Sequence, residues 1–313
     1  MPDVSWDSYS LLAVYSSMAV YAIAFIAFAF DVARRRDPEE QRAHERELVT
    51  AGGGSAPTTT APATTARPAR RNLAKVGFAL TVLAWVLHAA GTVMRGIAAE
   101  RVPWANMYEF ALTSIAIIVG IFVFVQLWRD LRFLGVYITG LATVFLGVAT
   151  VNFYVSPTPL PPALQSYWLV IHVFVAALGT GFFALGSGLS ILQLLRSRAS
   201  GLAFVDRLPG ASALEDLSYR VSVIGFIFWT FTLIAGAVWA EHAWGRYWGW
   251  DTKEVWTFVI WVVYAGYVHA RATRGWRGTR SAWLQLIGFA AILFNFTIVN
   301  VFFKGLHTYS GLE

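Results

Sequence analysis

Long uncharged apolar runs recur along the chain, separated by short segments in which the charges collect. A helix needs roughly 20 apolar residues to cross a bilayer. Residues 8–30, 76–94 and 110–128 each approach or exceed that length without a charged side chain. Residues 133–195 carry none either, and the run Ser156-Pro157-Thr158-Pro159-Leu160-Pro161-Pro162 divides them in two, because proline removes backbone donors and ends helices. Residues 221–240, 255–270 and 281–303 complete the set. The pattern predicts an all-α polytopic membrane protein with about eight transmembrane helices.

Composition agrees. Hydrophobic residues make up 57% of the 313 and charged residues 13%, where a soluble domain carries about 25% charged. The deficit excludes an ordinary soluble globule and a disordered chain. The absence of cysteine excludes disulfides, iron–sulfur clusters, thiolate zinc sites and cysteine nucleophiles. The net charge of +6 would suit nucleic acid, but its distribution argues for topology instead. With the N-terminus outside, the inner connections 31–75, 129–132, 196–220 and 271–280 hold nineteen of the 24 Lys and Arg residues. The outer segments hold Arg95, Arg101, Arg246, Lys253 and Lys304. This positive-inside bias places both termini on the extracytoplasmic side and leaves a nucleic-acid reading with little to explain.

Three segments follow. Residues 1–30 form the first span; its apolar run, followed by Arg34-Arg35-Arg36, reads as a spanning helix rather than a cleavable signal. Residues 31–75 are a basic cytoplasmic linker, where Gly52-Gly53-Gly54-Ser55 and an Ala/Pro/Thr stretch up to Pro68 mark low complexity, and where His44 reads as solvated. Residues 76–313 form a seven-helix core. Ser212 and Glu215 match a capping box ahead of the sixth span.

The outer connection between the sixth and seventh spans concentrates the chemistry. Residues 239–256 contain Trp239, Trp244, Trp248, Trp250 and Trp256, five of the chain's 14 tryptophans. A plain aromatic belt at the membrane interface is the alternative account. A belt, however, needs no Gly245 and Gly249 between the rings, no Asp251 among them and no Arg246 or Lys253 beside them. Glycines admit close approach of a large flat object, indoles offer faces to stack on it, and the cations suit carboxylates at its edge.

The histidines sharpen this reading. His172 lies about five residues inside the fifth span, or roughly 8 Å at 1.5 Å per residue, and His307 directly follows the eighth. Two imidazoles at one outer depth, flanking the tryptophan-rich loop, can ligate one metal from opposite faces, and iron in a porphyrin is the flat candidate. Each taken alone could equally be a packed polar residue bonded to a neighbouring helix. His269 ends the seventh span, about 22 Å deeper, near the inner face, where an ionisable group marks a pathway by default. His88, in mid-span, reads as a hydrogen-bonded core residue or a second such ligand, and His242 as a surface residue or a spare ligand. Glu109, in the segment Pro103-Trp-Ala-Asn-Met-Tyr-Glu109, could line the cavity or simply favour a helix start. Gly179, Gly181, Gly186 and Gly188 read as close helix packing rather than a phosphate loop, since no strand precedes them. No zinc-protease, Walker or serine-hydrolase pattern is present.

The stretch Trp244-Gly-Arg-Tyr-Trp-Gly-Trp-Asp-Thr-Lys-Glu-Val-Trp256 closely resembles the WWD signature of haem-handling proteins. The flanking Pro103–Glu109, Ser166-Tyr-Trp-Leu-Val-Ile-His172, Tyr264-Ala-Gly-Tyr-Val-His269 and Phe302-Phe-Lys-Gly-Leu-His307 narrow the resemblance to the CcsA/ResC family of System II cytochrome c biogenesis, called CcsB in some bacteria. The similarity covers roughly residues 72–310; Thr252 stands where the motif commonly has proline. The resemblance implies haem b (iron protoporphyrin IX) held outside by His172 and His307 as axial ligands. It also implies a separate haem within the membrane at His269, whose second ligand comes from a ResB-type partner. Trp239, Trp244, Trp248, Trp250, Trp256, Asp251, Arg246 and Lys253 would border the outer haem. The implied activity is that of a holocytochrome c synthase subunit in a bacterial cytoplasmic or a thylakoid membrane, presenting haem to apocytochrome c. The C-x-x-C-H segment of that substrate brings the thiols, so no catalytic side chain is expected here. A b-type electron carrier and a haem exporter without attachment chemistry are the other classes. The first needs two ligand pairs in one chain, and the second tends to show internal repeats.

Overall fold

The computed structural model describes residues 5–33, 72–158, 160, 165–198, 205–273, 275–303 and 305–307. Eight long helices follow one another: α1 (Trp6–Ala33), α2 (Asn72–Ala99), α3 (Met107–Val125), α4 (Gly135–Asn152), α5 (Tyr167–Arg198), α6 (Ala211–Trp244), α7 (Thr252–Thr273) and α8 (Thr279–Phe294). α8 continues through a π-helical turn, Asn295–Val299, into a last short helix, Asn300–Phe302. Among the described residues there is no strand, and each predicted span coincides with one long helix. Seven helices are long and apolar enough to cross a membrane. α7 falls short because Trp256, Trp261, Tyr264 and Tyr267 replace aliphatic residues and its ends carry Lys253, Glu254 and Arg271. The chain is a multi-pass membrane protein. The linker from residue 34 to 71, with its arginines and His44, lies outside the described residues, as do Pro159, Pro161, Pro162 and Lys304.

Buried polar links show which helix ends lie together. Arg95, near the end of α2, donates to Asp7 in the first turn of α1 at 2.7 Å, to Glu109 in the first turn of α3 at 3.0 Å and to the Val155 carbonyl beyond α4 at 2.7 Å. Arg101 adds a second ion pair to Glu109 at 2.6 Å. Arg95 and Glu109 are fully buried, a placement tolerated only because each charge is paired and hydrogen-bonded. Glu109 is therefore committed to the arginines and does not reach a cavity. At the opposite end, Glu215 of α6 pairs with Arg271 of α7 and accepts from the Gly278 N–H ahead of α8 at 2.9 Å. The Gln193 amide of α5 donates to the Gly278 carbonyl at 2.9 Å.

The capping box expected at Ser212 and Glu215 does not form. α6 starts two residues earlier, with Gly210 in the N-cap place of Ser212 and no side-chain cap, and Glu215 is drawn instead to Arg271 and Gly278. The α5 glycines do serve packing. A Cβ at Gly179 would meet the Gly225 carbonyl and the Trp229 nitrogen of α6 at 3.3 Å, so the two helices pass nearly backbone to backbone.

Candidate functional site

The starts of α5 and α7 and the ends of α6 and α8 meet around a cavity on the Asp7–Arg95 side of the bundle. His172, in the second turn of α5, is oriented from α6. Its Nδ1–H donates to the Thr232 carbonyl at 3.0 Å, and its ring stacks on Trp239 with centroids 5.8 Å apart and planes 16° from parallel. Gly236 makes room for the ring, since a Cβ there would lie 2.7 Å from His172 Cε1 and 2.8 Å from Nδ1.

His307 arrives from beyond α8. Its Nδ1–H donates to Asp251 Oδ1 at 3.2 Å, and its ring stands steeply to those of Trp239 and Trp244, with centroids 5.5 and 4.8 Å away. Asp251 also accepts from the N–H groups of Lys253 and Leu306, both at 2.8 Å. Burial works to raise the Asp251 carboxyl, but the hydrogen bonds from His307 and these two N–H groups outweigh it and lower it to about 2.

Carbonyl and carboxylate oxygens can only accept, so each imidazole carries a proton on Nδ1, and in the neutral ring the Nε2 lone pair is left for a metal. That is the outer-shell arrangement of metal-bound histidine, in which the second ring nitrogen donates to a carbonyl or carboxylate. Both rings touch Trp239, so their centroids lie no further apart than the two stacking distances combined. Among the described residues no group of three or more His, Cys, Asp or Glu gathers as metal ligands. Two nitrogens alone suit a metal that brings its own equatorial plane.

The cavity between them encloses about 110 Å³ and is bordered by Trp104, Phe110, Trp229, Trp239, Lys253 and Asn300 beside the two histidines. A small-molecule pocket usually measures roughly 300–1,000 Å³, so the cavity as it stands is smaller than a large flat ligand would fill. Lys253 points inward, bonded to the Asn300 amide oxygen and 5.4 Å from the Phe296 centroid. An adjoining pocket adds Trp248 to His172, His307 and Lys253.

The remaining sequence-predicted residues sit elsewhere. Trp239 and Trp244 belong to α6 and Trp256 to α7, so only residues 245–251 are loop. Trp256 packs on Phe294 at 4.4 Å, away from the cavity. Trp250 is 75% exposed, with a left-handed φ of 58° that side chains other than glycine seldom adopt. The two loop glycines have local reasons: Gly245, at φ 68°, closes α6, and the Arg246 guanidinium fills the space a Cβ of Gly249 would take. Thr252 is the first residue of α7, a position proline also suits, so its replacement of the usual proline leaves the helix start intact. His242 is exposed and turned back to the Val238 carbonyl at 2.9 Å. His269 is exposed on α7. His88 is buried, 3.4 Å from the Tyr21 hydroxyl, and reaches neither pocket. Sequence reasoning did not single out Thr232, Gly236, Trp229 or Asn300; Trp104 stood in a quoted segment but carried no assigned role.

These features define a class: a helical multi-pass membrane protein with a paired-histidine site at one end of the bundle, under a tryptophan-rich connection. Residues 73–307 match the family model of the cytochrome C assembly protein, and the chain belongs to that family, with a role in cytochrome c maturation. It is 32% identical over 277 residues to the cytochrome c biogenesis protein CcsA of Trieres chinensis, covering 78% of this chain and 89% of that one. It is 34% identical over 258 residues to CcsA of Prochlorococcus marinus, covering 72% and 80%. Among solved structures, cytochrome c heme lyase CcmF aligns with a TM-score of 0.65 at 14% identity, over 95% of this chain and 47% of that one. That likeness is one of fold, and this chain spans just under half of CcmF.

Proposed function

We propose that the chain holds haem b at its outer end between His172 and His307 and presents it to apocytochrome c, acting with a ResB-type membrane partner as a holocytochrome c synthase. The observation that carries this reading is the matched pair of Nδ1 anchors, Thr232 for His172 and Asp251 for His307. They leave each Nε2 available to a metal, and both histidines border one cavity. Trp239, Trp244 and Trp248 supply ring faces and exclude water, and Lys253 supplies a cation for the carboxylate edge of the macrocycle.

The incoming C-x-x-C-H segment contributes two thiols. Each sulfur bonds to a vinyl carbon and each thiol hydrogen ends on the neighbouring carbon, so atoms and electrons balance without a side chain of this protein as nucleophile. Positioning is the protein's part. The exposed place of His269 on α7 supports a second haem position shared with the partner, because an outward imidazole on a membrane helix is open to a ligand from another chain. The outer surface is then the extracytoplasmic face of a bacterial cytoplasmic or a thylakoid membrane.

The test uses the chain co-purified with its partner. His172→Ala and His307→Ala are each expected to abolish the low-spin paired-imidazole spectrum of the outer haem and to stop cytochrome c maturation, with added imidazole restoring the spectrum. His269→Ala is expected to lower haem loading. Retention of both spectrum and maturation in the His172 and His307 variants would overturn the reading.

A further inference from the structure

The geometry points to Asp251 as the positioning residue of the outer site: its carboxylate gathers the segment after α8 onto the start of α7 and presents His307 in one tautomer and one orientation. This rests on the reading of His307 as an iron ligand and explains what holds that ligand.

The two histidines are supported differently. His172 sits on a helix, and its anchor is a backbone carbonyl of a packed neighbour. His307 lies beyond the last helical residue, Phe302, where the described residues 303 and 305–307 form no helix. The hydrogen bonds of Leu306 and His307 both go to the one carboxylate, 55 or more residues away in sequence. Gly305 passes so close to Asp251 Oδ2 that any Cβ there would collide with it. The same carboxylate accepts from the Lys253 N–H. One side chain thus joins two remote segments through two hydrogen bonds and a close contact with Gly305, while a third bond holds it to the start of α7. A carboxylate on Nδ1–H also raises the basicity of Nε2 more than a neutral carbonyl does, so His307 is the stronger donor of the pair.

Asp251 has a simpler role open to it, that of N-cap to α7 through the Lys253 N–H. Asn caps a helix as well as Asp does, so Asp251→Asn separates the two. The amide oxygen takes the Oδ1 place, accepting from Nδ1–H and the Lys253 N–H, but the Leu306 N–H loses its Oδ2 acceptor and the negative charge is gone. Asp251→Asn is expected to keep the low-spin bands, since His307 keeps its acceptor, while the midpoint potential of the outer haem rises, since a less basic axial ligand favours the ferrous form. Asp251→Ala is expected to speed exchange at Leu306 in the haem-free chain. It should also weaken hemin binding about 10–100-fold and lose low-spin bands that added imidazole restores. An Asp251→Asn potential equal to wild type, or unchanged Leu306 exchange in Asp251→Ala, would overturn the proposal. A His307→Ala chain that keeps the wild-type spectrum would sink the ligand assignment itself, and the proposal with it.

Discussion

At the scale of single residues, the orientation of His172 depends on what is missing beside it. Gly236 leaves a space in which a methyl group would lie 2.7 Å from the ring, closer than carbon atoms pack at van der Waals contact. Gly236→Ala should tilt the imidazole off both the Thr232 carbonyl and the Trp239 face. Weakened hemin affinity, by about 10–100-fold as for other losses of ligand support, is the expected result of a titration; wild-type affinity would show that the ring has room to spare. This supporting layer was the part of the site illegible in the sequence. His172 and His307 could be found by counting residues from the ends of apolar runs. Thr232 acts through its backbone, which leaves no trace in residue type, and a lone glycine in an apolar run reads as helix packing. Asp251 was visible as an ion among tryptophans, but its partner 56 residues on was not. The remaining histidines also bear on the electron-carrier alternative. Among the described residues His88 is shut in beside Tyr21 and His242 is exposed and turned back to its own helix, so no second facing pair forms.

At the scale of elements, the uncharged runs located each helix but underestimated its reach. The charge-free criterion marks the part in contact with lipid, whereas α6 runs past Glu241 to Trp244, because polar and indole side chains remain helical at the interface. Residues 239–256 therefore contain more helix than loop. α8 shows the opposite limit, for nothing in residues 281–303 sets its π-helical turn, Asn295–Val299, apart from ordinary helix. Such turns hold one extra residue and recur at functional sites. Here the turn precedes Asn300, whose amide oxygen meets Lys253 and whose Nδ2 donates to the Phe296 carbonyl at 3.1 Å. Inserting one alanine between Val299 and Asn300, just past the turn, should rotate everything beyond it by about 100°. The Lys253 and Asp251 contacts would be lost together. The expected outcome is a chain with wild-type helix content by circular dichroism and no low-spin haem spectrum. An unchanged spectrum would mean that the helix register after the turn does not set the place of His307.

At the scale of the whole molecule, the helix ends joined by buried ion pairs alternate strictly along the chain. The start of α1, the end of α2 and the start of α3 meet at Arg95, while Glu215 and Arg271 join the start of α6 to the end of α7 on the other side. The up-and-down order was legible because each apolar run, once residues 133–195 are divided at their prolines, is one span long. The ion pairs were not, since Asp7 and Arg95 lie 88 residues apart. They explain how the basic-poor side holds Arg95 and Arg101: each is matched by a carboxylate and none is left as a free buried charge. Which side faces out rests on the nineteen-to-five distribution of Lys and Arg. The absence of cysteine makes that directly measurable, because a single introduced thiol is then the sole target of a maleimide. Ser5 and Ser197 are both exposed, at the start of α1 and near the end of α5. In intact cells a membrane-impermeant maleimide should label Ser5→Cys at once and Ser197→Cys only after the membrane is opened. The reverse pattern would put His172, His307 and Asp251 on the inner face, where an apocytochrome exported before its haem is attached could not reach them.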